Sequence, residues 1–170
     1  FLATEPYQVF SGSHQSWILR SADGRTQTGL APFSTLARLM QRSPIARPPG
    51  APPFFGGAVG YLSYDLVRQF ESLPNHAEND LHFPDLEFAF YDLVAAFDHT
   101  SDEWQLIFCP PLERFLGEPR EKLYREGCDR LAALDAQLST PRPQPAATLE
   151  PVTFYPQQSR DSYKIGRAHV

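Results

Sequence analysis

At 170 residues, 42% hydrophobic and 13% aromatic, the chain has the size of one domain and the apolar material for a core; such a domain buries roughly 70% of the surface its unfolded chain exposes. Its net charge of -5 and singly scattered basic residues argue against nucleic acid or an anionic membrane as partner. No apolar run approaches the ~20 residues of a membrane span, and no secretory signal pattern is visible, although the start at Phe1 rather than Met leaves a removed leader open.

The N-terminal third reads as strands followed by a helix. Tyr7–Phe10 and Trp17–Arg20 are short apolar runs around Ser11-Gly12-Ser13, which predicts two antiparallel strands with the turn at those three residues. Ala22-Asp23-Gly24-Arg25 supplies the next turn, Asp-Gly being a strong hairpin signal. From Ser34, a capping residue, Leu36, Leu39 and Met40 share one side at helical spacing, predicting a short helix to about Gln41. Residues 43–53 hold Pro44, Pro48, Pro49, Pro52 and Pro53 with Gly50, so the chain there is an extended connection.

The run from Phe54 to Glu71 is the most informative. Gly56, Gly57 and Gly60 lie inside an apolar, aromatic stretch, the pattern of a buried core strand that another backbone approaches closely. A phosphate-cradling loop is the other reading of Gly57-Ala58-Val59-Gly60, but no G-x-G-x-x-G and no Gly-Lys-Ser/Thr is present. Asp65, Arg68 and Glu71 follow at helical spacing and predict a short ion-pair ladder.

Residues 75–80 read as a polar surface loop. Leu86 to His99 then predicts one long strand, with Phe88, Phe90, Val94 and Ala96 on one side and Ala89, Tyr91, Leu93, Ala95 and Phe97 on the other; a strand apolar on both faces needs cover on both. Left partly uncovered, Leu86 to Phe97 would expose an apolar patch. Trp104–Phe108 pairs back across the polar residues 99–103 as a hairpin. Pro119 opens a helix with Leu123, Gly127 or Cys128, Leu131, Leu134 and Leu138 as its apolar stripe, while Arg120, Glu121, Arg125, Asp129 and Arg130 form a solvated face. Residues 140–151, rich in proline, read as a linker or boundary. The order of elements describes an α+β arrangement on antiparallel sheet.

The stretch from Phe54 to His99 resembles the N-terminal region of aminodeoxychorismate synthase component I. The motifs that carry the resemblance are the glycine run, Phe70-Glu71-Ser72-Leu73-Pro74, Phe83-Pro84-Asp85-Leu86, Phe90-Tyr91-Asp92 and Phe97-Asp98-His99. Anthranilate synthase component I is similar in the same order of motifs, but Phe70 to Pro74 leans toward the aminodeoxychorismate branch. The resemblance implies the N-terminal, incomplete part of an α/β/β/α sandwich in a cytoplasmic subunit of 4-aminobenzoate and folate biosynthesis. It further implies a glutamine amidotransferase partner that delivers ammonia, and a C-terminal domain in which Mg²⁺ held by glutamates binds chorismate. Tryptophan is a family ligand, regulatory in one branch and structural in the other, and is assigned to no residue here.

On that reading residues 1–150 are the N-terminal domain and residues 151–164 are a linker with the first residues of the chorismate domain, since Gln158 to Tyr163 resembles its start. Residues 165–170 coincide with one reading frame of a sequencing-library adapter and are expected to be read-through. The chain alone is expected to be inactive and to bind no metal or cofactor. The other reading is a free-standing module that holds an aromatic amino acid or a partner protein.

No residue is assigned a catalytic, cofactor or metal role. Asp92, Asp98 and His99 invite one, yet Asp98 and His99 point to opposite faces of a strand, and a solvated or turn-capping role fits them better. His14, His76 and His82 lack metal-ligand spacing, as do Cys109 and Cys128, which read as free thiols in a reducing cytoplasm. Ser63 has no Gly-x-Ser-x-Gly elbow.

Overall fold

A computed structural model describes residues 1–13, 15–41, 46–74 and 81–141. The chain divides into two compact units, Phe1–Ser139 and Thr140–Val170, and every element named here belongs to the first. These are β1 (Gln8–Ser13), β2 (Ser16–Ser21), β3 (Thr26–Leu30), α1 (Pro32–Gln41), β4 (Gly57–Leu62), a 3-10 helix (Tyr64–Gln69), β5 (Leu86–Tyr91), β6 (Leu93–Asp98), β7 (Glu103–Phe108), α2 (Leu112–Gly117) and α3 (Arg120–Ser139). His14, His76, the loop 75–80, and segments 142–150, 151–164 and 165–170 lie outside the described residues.

Both sheets are antiparallel. One has five strands in the order β3-β2-β1-β5-β4, and the other is the β6–β7 hairpin. The α+β expectation holds, as a partial domain. One face of the larger sheet carries Phe10 directly opposite Leu19 and Phe88. Leu36 of α1 and Leu66 of the 3-10 helix join Phe10, Leu19, Leu86 and Phe90 in the core beneath that face. Each such buried side chain contributes roughly 1.5–3 kcal/mol. Among the described residues no helix is long and apolar enough to cross a membrane.

Several expectations are corrected. Ser11, Gly12 and Ser13 are not a turn but the last half of β1, laddered to Ile18, Trp17 and Ser16. The small residue has a packing reason: a Cβ on Gly12 would stand 2.6 Å from the Pro32 side chain, so glycine is what admits α1. That helix begins at Pro32, two residues before Ser34, whose Oγ donates back to the Ala31 carbonyl at 3.2 Å. Met40 is exposed while Leu36 and Leu39 pack inward. Strand β3 carries too little apolar pattern to announce itself, and α2 is only six residues long.

The glycine strand is not buried. As β4 it lies on the sheet edge and pairs with β5 alone, which leaves Val59 53% and Leu62 50% exposed. The close backbone approach is nevertheless real: a Cβ on Gly60 would overlap the Glu87 carbonyl oxygen and stand 2.7 Å from Phe88 Cα.

The predicted long strand from Leu86 to His99 breaks at Asp92 into β5 and β6, which belong to different sheets. The break covers its apolar residues, since Leu86, Phe90, Val94, Ala95 and Ala96 are all buried. Exposed apolar side chains gather instead between Val59 and Phe83. The β6–β7 hairpin forms as expected, with Phe97 opposite Trp104. In α3 the stripe is Leu123, Gly127 and Leu134, with Cys128 exposed, and Gly127 sets the close packing on Phe108 of β7.

Candidate functional site

The three residues that invited a catalytic reading each engage a different partner. Asp98 ends β6 and its Oδ1 accepts the Thr100 N–H at 2.8 Å, the turn-capping role expected of it. The His99 ring packs edge-on against Phe97, centroids 4.8 Å apart. Asp92 stands at the other end of β6 and is only 2% exposed. Both of its carboxylate oxygens accept from Arg130, at 2.7 and 2.8 Å. A buried carboxylate needs such compensation, and a two-pronged guanidinium supplies it well.

Arg130 is the residue the sequence reading misplaced, on the solvated face of α3. Its position follows the apolar stripe Leu123, Gly127, Leu134 at helical spacing, and this is the signal that could have found it. The guanidinium also lies over the Phe108 ring, 5.1 Å from the centroid.

Two further groups gather near Asp92. Burial pushes the Tyr7 hydroxyl up to about 12, helped by the negative charge of Asp92 and Glu113. Burial, and then Asp92, also pushes the Cys109 thiol up. Both groups keep their protons at neutral pH, so the thiolate needed for nucleophilic chemistry is suppressed. With Asp92 neutralised by Arg130, the cluster has the character of a packed ionic joint.

A second ionic group binds α2 to α3. Arg114 donates to Glu118 at 2.6 Å and to Glu126 at 2.6 Å, and Lys122 adds a contact to Glu118 at 2.8 Å. Hydrogen bonds from Arg114 first and Lys122 second hold the Glu118 carboxyl down at about 2, and the Glu126 carboxyl is lowered chiefly by Arg114. The predicted ladder at Asp65, Arg68 and Glu71 forms at its first rung: Arg68 meets Asp65 at 2.9 Å and gives another nitrogen to the Leu73 and Pro74 carbonyls. Ser63 starts the 3-10 helix with its buried Oγ unpartnered.

An open groove of ≈610 Å³ lies among the described residues, on the β1–β2–β3 side of the sheet. Its walls include Ser11, Ser13, Trp17, Ile18, Arg20 and Thr28. Two of the polar groups there are engaged within the sheet: Ser11 Oγ donates to Glu87 at 2.6 Å, and the Trp17 indole donates to the Leu30 carbonyl at 2.8 Å. Among the described residues no group of three or more His, Cys, Asp or Glu could hold a metal ion.

A family model described as chorismate binding enzyme matches residues 1–168. The chain is similar to anthranilate synthase component 1 of Thermus thermophilus, 49% identical over 65 residues, covering 38% of this chain and 14% of that one. It is also similar to aminodeoxychorismate synthase component 1 of Escherichia coli, 35% identical over 108 residues, covering 62% of this chain and 24% of that one. Among solved structures, anthranilate synthase component I from Streptococcus pneumoniae superposes with a TM-score of 0.65 at 22% identity. That superposition covers 84% of this chain and 29% of the neighbour, and at this identity it speaks for the fold. The chain thus spans well under a third of these proteins.

Proposed function

The chain belongs to the chorismate-binding enzyme family, and from that premise we propose that it is the N-terminal scaffold part of a component I subunit that aminates chorismate to 4-amino-4-deoxychorismate. The observation that carries the scaffold role is that its ionic side chains at the element junctions engage one another. Asp92 is gripped by Arg130, Ser11 by Glu87, and Arg114 by two glutamates. These residues position elements; none is set up to exchange protons with a substrate.

The aminodeoxychorismate branch is favoured by Phe70-Glu71-Ser72-Leu73-Pro74. Arg68 fixes the end of that motif through the Leu73 and Pro74 carbonyls, so it forms a defined turn after the 3-10 helix. The anthranilate branch is the second reading, supported by the number of relatives that carry that name. Chorismate and Mg²⁺ belong, on this proposal, to the part of a complete subunit that the chain does not span, where the cation would act as a Lewis acid on bound chorismate. Ammonia would come from a glutamine amidotransferase partner, and the compartment would be the cytoplasm.

The test is product identity. A complete subunit carrying this sequence, supplied with chorismate, ammonium and Mg²⁺, should form aminodeoxychorismate, and the 170-residue chain alone should form nothing. Anthranilate as the product would move the assignment to the other branch. Turnover by the chain alone would overturn the scaffold role.

A further inference from the structure

The polypeptide changes sheets at a single residue. β5 ends at Tyr91 in the five-stranded sheet, β6 begins at Leu93 in the hairpin, and Asp92 alone stands between them. Three parts of the fold converge on it. Its backbone carbonyl accepts the N–H of Cys109, the first residue after β7, at 2.7 Å. Its carboxylate takes both donors of Arg130 from the middle of α3. Arg130 in turn covers Phe108, the last residue of β7, against which Gly127 of α3 also packs.

The two halves otherwise meet sparingly. α1 packs on β1 and α3 packs on β7, so each helix serves its own sheet. Contacts at the junction include Asp92, the backbone pairing of Leu2 with Ala95, Gly56 lying close to the Cys109 side chain, and Tyr7, whose hydroxyl feels Asp92, Glu113 and Cys109. A half that carries its own hairpin and helix and is joined to the larger sheet at few points has the makings of a separately opening unit.

We infer that Asp92 is a hinge and the Asp92–Arg130 pair its latch, holding the half formed by β6, β7, α2 and α3 in one setting against the five-stranded sheet. With the latch broken, that half opens as a unit while the sheet stays protected. Loss of the fork drives the opening, because Asp92 is 2% exposed and is compensated there by Arg130, while Arg130 itself, 29% exposed, meets Glu126 only at 3.8 Å.

Hydrogen exchange read by mass spectrometry on the 170-residue chain distinguishes this from a merely stabilising ion pair. In Asp92→Asn, amides of residues 93–139 should exchange about tenfold faster or more, while those of β1, β2 and β5 keep their protection. Arg130→Lys keeps the charge and the stem but loses the fork, and it should give the same regional pattern with smaller amplitude. The lysine variant decides the matter if the asparagine variant does not fold. Equal acceleration in both halves would make the pair a general stabiliser and overturn the latch, as would unchanged exchange in both variants.

Discussion

Gly60 in β4 and Glu87 in β5 approach so closely that a methyl group on Gly60 would overlap the Glu87 carbonyl oxygen and stand 2.7 Å from Phe88 Cα in the same peptide unit. Backbone atoms cannot turn away as a side chain can, so the neighbour has no cheap response. Gly60→Val should lower stability by about 2–4 kcal/mol, the range of overpacking plus the loss of edge pairing. Thermal unfolding measures it, and an unchanged midpoint would remove the packing account of this glycine. A phosphate-binding loop would instead lose a ligand and keep its stability.

Gly127 sets two effects against each other. Alanine in mid-helix gains about 1 kcal/mol of helix propensity over glycine. Its Cβ, however, would stand 2.6 Å from the Phe108 ring and 3.3 Å from a second ring atom. Overpacking of ~1–3 kcal/mol exceeds the propensity gain, so Gly127→Ala should be net destabilising by about 1 kcal/mol. Urea unfolding gives the sign. A more stable variant would mean that α3 slides off β7 freely, and that propensity decides.

Where the sequence could be read, the pattern was local. The β6–β7 hairpin was legible because its apolar strands and polar turn adjoin in sequence, and α3 because its apolar stripe recurs at helical spacing from Leu123 to Leu134. The break at Asp92 was not, since a lone acid in an apolar run is informative only once Arg130, thirty-eight positions on, is known to face it. The edge position of β4 was hidden for a similar reason. Phe54 to Leu62 has the composition of a central strand, and only the strand order reveals that one side lacks a neighbour. Ser11-Gly12-Ser13 has turn chemistry but serves as a slot for Pro32, a contact between distant positions.

The α2–α3 corner should fail in acid. The Glu118 carboxyl, held at about 2 in the fold by hydrogen bonds from Arg114 first and Lys122 second, titrates near 4.3 when unfolded. The folded state therefore binds fewer protons than the unfolded one in this interval. The stability contributed is full above the unfolded value and is lost as the pH falls toward 2. Glu126, lowered chiefly by Arg114, acts in the same direction. Glu118→Gln should therefore flatten the decline of the urea midpoint between about pH 5 and 2. A decline of equal steepness in both proteins would assign the acid sensitivity elsewhere.

Exposed apolar side chains gather on one stretch of the chain: Val59, Tyr61, Leu62, Tyr64, Phe70 and Phe83 are each at least 41% exposed. Single exposed side chains are ordinary, but an aromatic series along an unpaired sheet edge and the turn beyond it favours association. The 170-residue chain should bind a hydrophobic dye strongly and self-associate as its concentration rises. A charge placed on the solvent side of the edge, as in Val59→Lys, should reduce both while leaving the core beneath α1 intact, because Val59 projects away from the face that carries Phe10 and Phe88. Inside a complete subunit the same substitution should weaken cover over β4 and lower its stability. A chain that stays monodisperse, binds little dye and unfolds cooperatively would instead mark a self-sufficient module, and would favour the binding-module reading over the scaffold.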